Sequence, residues 1–259
     1  MRLFENMLLS ELFALVLVFA RIGAALMVLP LFGEQSIPAR ARLMFALAVT
    51  ITVTPFLIPS LPSMPQSAIA LTILLVGEIM IGIFLALLVR ILFISLEVAG
   101  TSIVTQIGLS SATIFNPMIS EQTSAVATFF GLIALVIMMQ TDMHHMLLRG
   151  ILDSYGLFAP GQGLIMGDAS ESITRVVSQA FRVGIQMTGP FFIAMMMINV
   201  ALGLLSRLMP QLQVFFLAQP VQIILGFILL IVTLTAMMYV FVETIGVAIQ
   251  GMLAPGGGP

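Results

Sequence analysis

The sequence has no cysteine, no tryptophan and no lysine, and only two tyrosines. Without cysteine there are no disulfides, thiolate metal centres or cysteine nucleophiles, and the redox compartment is left open. Without lysine a Walker A phosphate loop is excluded. The basic set is nine arginines against eleven Asp and Glu, a net charge of −2. That balance offers no basic stripe for nucleic acid. Missing tryptophan and scarce tyrosine nearly remove the usual interfacial aromatic belt. Charge of either sign is rare at 8% of residues, where a soluble domain carries about a quarter.

What is present is apolar. Hydrophobic residues make up 60% of the 259, including 19 Phe and 20 Met. Such a chain cannot cover itself with a water-compatible surface, so the membrane class follows from composition. At the N-terminus Arg2 is offset by Glu5 and Glu11, and the apolar run Leu12 to Phe32 exceeds a signal-peptide core. No small-x-small cleavage site follows, so this run is read as a first retained helix. The low-complexity tail 254–259 is set aside from the fold.

A spanning helix needs about 20 mostly apolar residues. Six segments answer to that description: 11–32, 41–58, 68–97, 122–140, 176–205 and 212–249. The expected fold is all-α, a multi-pass helical membrane protein with about six long apolar helices and an irregular re-entrant segment. It forms a single unit over 1–253, with an N-terminal region over 1–140 and a C-terminal helix pair over 176–250. The third, fifth and sixth segments exceed a bilayer core of about 30 Å and must tilt, kink or protrude. Pro190 and Pro220 are natural kink sites. The runs are too long and too uniform for strands.

The connections differ in character. Residues 59–67 hold Pro59, Pro62 and Pro65 and read as a rigid turn. Residues 141–170 read as the one substantial hydrophilic loop, and Asp168 with Glu171 has capping-box spacing for a helix starting near Ile173. The stretch 98–121 is uncharged until Glu121, too polar for a lipid-facing span and too apolar for a solvated loop. A re-entrant or pore-facing element is the leading reading; an amphipathic interfacial helix or packed loop is the alternative. Arginines divide equally between the two sides: Arg2, Arg149 and Arg175 against Arg40, Arg42 and Arg207. Short loops weigh more in the positive-inside rule, which puts the second set in the cytoplasm.

Four of the ionisable residues within or near apolar segments are singled out: Arg21, Glu78, Arg90 and Glu97. Such groups are costly in lipid and are candidate functional sites. Arg90 and Glu97 share a helix face and read as packed against a partner subunit or snorkelling. Glu78, between Gly77 and Gly82, is the stronger candidate for a buried intersubunit contact; a proton relay there would need a partner. Asp142, His144 and His145 suggest a metal, but adjacent histidines do not share a helix face and no second ligand cluster exists, so a boundary loop is preferred. No metal and no cofactor are expected. Gly108-Leu109-Ser110-Ser111-Ala112 is a near miss to a nucleophile elbow, without its final glycine. Ala20/Ala24 and Gly82/Ala86 permit close helix approach. Met195, Met196 and Met197 read as flexible packing, with a gasket role as the sharper alternative.

Three stretches, in order, carry a resemblance. The first is Arg21-Ile22-Gly23, Pro30 and Ile37-Pro38-Ala39-Arg40-Ala41-Arg42-Leu43. The second is Glu97-Val98-Ala99-Gly100, then Gln106-Ile107 and Gly108-Leu109-Ser110-Ser111-Ala112-Thr113-Ile114-Phe115-Asn116-Pro117. The third runs from Asn199 to Phe215 and includes Ser206-Arg207-Leu208-Met209-Pro210-Gln211. Together they resemble the FliR family of the flagellar type III export apparatus. The resemblance implies a non-enzymatic export-gate subunit of the bacterial inner membrane, in the flagellar basal body. It would assemble with FliP and FliQ, be contacted by FlhB, and form a pore for unfolded flagellar proteins. It also implies that 108–117 plugs the closed pore, and that 206–213 is a cytoplasmic loop in a FliQ-like hairpin. Asn116 departs from the Asp expected in some relatives, so no charge at the plug is inferred. Two rivals remain. A secondary transporter would need inverted repeats and a polar midplane site. An intramembrane hydrolase would need Ser110 or Ser111 served by His144 or His145.

Overall fold

The computed structural model describes residues 2–34, 37–109, 125–161, 166–211 and 213–253, with side chains described for all of these except 2–8, 166, 168 and 251–253. Among the described residues the secondary structure is helical throughout, with no strand. The helices are α1 (Arg2–Val28), α2 (Ala39–Leu57), α3 (Ala68–Gln106), α4 (Ala125–Gln140), α5 (Met143–Leu157), α6 (Met166–Leu208) and α7 (Val214–Leu253), with a 3-10 turn at Ile58–Ser60. Five of them, α1, α2, α3, α6 and α7, are long and apolar enough to cross a membrane. The pair α4 and α5, bent by 79° at the break between them, makes a sixth if counted as one broken span.

Local chemistry sets the ends. Pro38 precedes α2 in an extended conformation (ψ 137°), and its carbonyl accepts the Arg42 N–H at 3.2 Å. Pro55 and Pro59 bring α2 to a stop through the 3-10 turn. Threonines inside the apolar helices donate to carbonyls one turn back: Thr50 to Ala46 at 2.7 Å, Thr188 to Gly184 at 3.0 Å and Thr244 to Val240 at 2.8 Å. A hydroxyl satisfied in this way can sit in an apolar environment.

The observed elements differ from the sequence expectation in four places. Residues 98–106 continue α3. Ala99, Ile103 and Ile107 recur every fourth residue and are buried, while Thr101 and Thr105 bond back to Glu97 and Thr101. That portion of the stretch is therefore neither re-entrant nor a loop. The fourth span is short: α4 has 16 residues and reaches spanning length only with α5. The supposed hydrophilic loop 141–170 contains α5, whose Met143, Leu147, Ile151 and Tyr155 form a buried stripe at four-residue spacing. Its charges, Arg149 and Asp153, lie on the exposed side. Finally, α6 starts at Met166, upstream of the capping-box position.

The chain divides into two compact units, each built from several sequence segments. The first comprises Met1–Ile91, Met139–Val177 and Gly246–Pro259. Its core includes Leu17, Ile22, Leu29, Ile81, Leu147 and Ile151. There α1 and α3 meet at small residues: a Cβ added to Gly82 would collide with the Arg21 carbonyl and lie 3.2 Å from the Ala24 methyl. The second unit comprises Leu92–Met138 and Ser178–Ile245. Its core includes Leu96, Ile103, Phe130, Phe191, Met195 and Phe241, with the Phe93 and Phe241 rings edge to face at 5.3 Å.

Candidate functional site

The first unit holds a buried polar cluster. Arg21 lies in the last third of α1 and Glu78 in the first third of α3, 57 residues apart in sequence. Their side chains are 0% and 1% exposed, and Arg21 Nε donates to Glu78 Oε2 at 2.6 Å. The rest of the guanidinium serves the end of α5. Nη1 donates to the Ser154 carbonyl and hydroxyl, each at 3.3 Å, and Nη2 donates to the Phe158 carbonyl at 2.9 Å. The Tyr155 ring stacks under the guanidinium, with Cζ 4.1 Å from its centroid. A helix C-terminus leaves carbonyls unsatisfied and carries partial negative charge. One cation thus neutralises a carboxylate, caps α5 and joins α1, α3 and α5.

This arrangement is a tie rather than a reaction centre. Every nitrogen of the guanidinium is engaged. The adjoining cavity, lined by Leu29, Ala86, Val89, Leu147, Ile151 and Ser154, has a volume of about 30 Å³, room for about one water. Glu78 meets its partner inside the same chain, not across a subunit boundary. Tied to Arg21, it also does not supply the polar midplane site that a transporter requires.

The remaining sequence candidates fall elsewhere. Arg90 and Glu97 are exposed on α3, and Arg90 Nη1 donates to the Val28 carbonyl at 3.3 Å. Gly108 follows the end of α3 with a left-handed φ of 81°. Ser110 to Pro117, most of the expected plug, lies outside the described residues. Arg207, Leu208, Met209, Pro210 and Gln211 are exposed, and Ser206, half-buried, donates from Oγ to the Gly203 carbonyl at 2.9 Å. Asp142, His144 and His145 bring their donor atoms within 4.8 Å of one another, with His145 Nδ1 at 3.4 Å from Asp142 Oδ1. Met195 is buried, whereas Met196 and Met197 are each 70% exposed.

Sequence reasoning missed Ser154, Tyr155 and Phe158. The available signal was a hydroxyl and one of only two tyrosines falling on the apolar stripe of an unrecognised helix. It also missed Gln219 and Gln222, two carboxamides three residues apart in an apolar run. On a membrane helix, that spacing marks a hydrogen-bonding face.

Fold and site together define a multi-span helical membrane protein whose buried polar groups bind its own helices to one another. The sequence matches the family described as "Bacterial export proteins, family 1" over residues 12–247, and the chain belongs to that family. It is 34% identical to the flagellar biosynthetic protein FliR of Caulobacter vibrioides over 90% of this chain and 93% of the relative. It is 29% identical to FliR of Bacillus subtilis, covering 92% and 93%, and 28% identical to FliR of Escherichia coli, covering 80% and 78%. Membership sets the chain among export proteins, not enzymes.

Proposed function

We propose that this chain is a membrane subunit of the flagellar type III export gate. In this reading it assembles with FliP and FliQ in the bacterial inner membrane at the flagellar basal body. FlhB contacts the assembly, and unfolded flagellar proteins pass through its pore. Helices α6 and α7 form the FliQ-like pair, and residues 108–117 obstruct the closed pore through Leu109, Ile114 and Phe115. Hydrophobic constriction is an established gating device.

The observation that carries the assembly is the length of the exposed apolar surface. On α6 exposed apolar residues run from Val177 and Phe181 through Ile193 to Leu208, with the exposed charges Arg182 and Arg207 among them, and on α7 from Phe215 through Ile231 to Val247, with Glu243 exposed near the end. At 1.5 Å per residue each helix is about 60 Å long, about twice a hydrocarbon core of about 30 Å. Lipid alone cannot cover the whole of such a face, since the charged positions and the apolar residues beyond them fall outside one span. Buried residues make up only 17% of the most apolar window of α6 and 22% of that of α7, against 50% in α1. Other polypeptide chains are the natural cover for the excess.

The plug is tested by ion conductance of the assembled complex in planar bilayers. Deleting 109–116 should raise the leak at zero export load. Unchanged conductance in a complex shown to assemble contradicts the role of this segment.

A further inference from the structure

The chain has two histidines and no cysteine. Both histidines stand in the first turn of α5, within the first compact unit. Asp142 precedes that helix with a left-handed φ of 57°. An aspartate in this place ordinarily accepts from the free N–H groups of the first turn, yet the Asp142 side chain makes no such bond. Its Oδ1 faces His145 Nδ1 at 3.4 Å instead. Adjacent positions on a helix point about 100° apart, which argued against a common ligand set. In the structure the His144 and His145 rings nevertheless come together, with centroids 4.0 Å apart and planes tilted by 38°. One donor atom from each of the three residues lies within 4.8 Å of the other two. His144 is the half-buried member, and its Nδ1 is shielded from solvent with no hydrogen-bond partner among the described residues. Shielded polar atoms are normally partnered, and a bound ion is one recognised way to supply what is missing.

We propose that Asp142, His144 and His145 bind a divalent transition metal of the zinc class, through two imidazole nitrogens and one carboxylate oxygen. Neutral imidazole suits zinc, copper and nickel, whereas magnesium and calcium prefer oxygen ligands. Tetrahedral zinc, with ligand bonds of about 2.0–2.2 Å, holds its donors about 3.3 Å apart. The triad therefore has to close by about 1.5 Å at most. The Asp142 and His145 side chains, 80% and 69% exposed, have room to make that movement. Three protein ligands leave a fourth position open to water or to a donor from another chain. The metal fastens the first turn of α5, as Arg21 fastens its last. This site is independent of the pore reading.

The test is zinc binding by the full-length chain in detergent, purified without a polyhistidine tag, stripped with a chelator and followed by titration calorimetry. One zinc per chain is expected, undisturbed by excess magnesium. With no other histidine and no cysteine in the chain, His144→Ala and His145→Ala should each abolish saturable binding. Asp142→Asn should weaken it by at least about tenfold, since even residues that only orient a ligand cost that much. Cobalt in place of zinc should give the visible absorption of a four-coordinate centre in the parent and only that of the hydrated ion in the histidine variants. Zinc at a hundred times its dissociation constant should favour the folded state by about 100-fold, raising the thermal midpoint of the parent and not of the variants. Zinc uptake that persists in the His144→Ala, His145→Ala double variant overturns the site, as does a parent that takes up none. Binding lost in the histidine variants but intact in Asp142→Asn overturns the three-ligand set. If His144→Ala loses helix by circular dichroism, His145→Ala, at an exposed position, decides.

Discussion

Taking a guanidinium and a carboxylate out of water costs several kcal/mol per ion, recovered only where geometry and further hydrogen bonds are good. Arg21 and Glu78 meet that condition, with a 2.6 Å contact and three further hydrogen bonds to the end of α5. Removing one partner strands the other. Arg21→Leu and Glu78→Leu are each expected to cost about 3–5 kcal/mol, seen as a large drop in the thermal midpoint of the detergent-solubilised protein. The Arg21→Leu, Glu78→Leu double variant should recover much of the loss, because no buried charge is left behind. Single variants as stable as the parent would contradict the tie. Neighbouring glycines give a sharper comparison. A Cβ on Gly82 would meet the Arg21 carbonyl, whereas around Gly77 nothing lies within 4 Å. Gly77→Ala should be neutral or stabilising by up to about 1 kcal/mol, the helix-propensity gain, while Gly82→Ala should lower the midpoint. Arg21 and Glu78 were legible in the sequence as lone charges in apolar runs. Their pairing was not, because no local pattern links residues so far apart.

At the scale of elements, α5 is the instructive case. Its buried residues recur every fourth position, but His, Arg, Asp and Ser intervene. Read from composition, the segment looks like a loop; read by period, it is an amphipathic helix. The buried face should therefore be sensitive and the exposed face tolerant. Ile151→Ala is expected to destabilise by about 2–5 kcal/mol, and Arg149→Ala to stay within about 0.5 kcal/mol, both measured by thermal unfolding in detergent. Equal responses would show that the helix does not pack through that stripe. The same confusion of polarity with irregularity affected 98–106. Its threonines and small residues looked unlike a span, yet the hydroxyls are satisfied by carbonyls one turn back, and the segment simply extends α3. The long apolar helices themselves were legible from run length alone, with ends a few residues off. Pro59 was a better guide to a boundary than the Asp168–Glu171 spacing.

For the whole molecule, the decisive property is incomplete burial. Helices α6 and α7 keep long apolar faces uncovered, and each is about twice as long as a bilayer core is thick. This uncovered surface is what the proposed assembly would bury. Sequence motifs could identify the relatives. They could not reveal the amide grip of Gln219 and Gln222 on the end of α3, since that contact joins positions more than 110 residues apart. The most direct measurement is co-purification of the tagged chain from cells that also make FliP and FliQ, followed by mass determination in detergent. The export-gate account predicts a stable complex of the three proteins that survives detergent exchange. A monodisperse chain free of both partners, purified from the same cells, would contradict it.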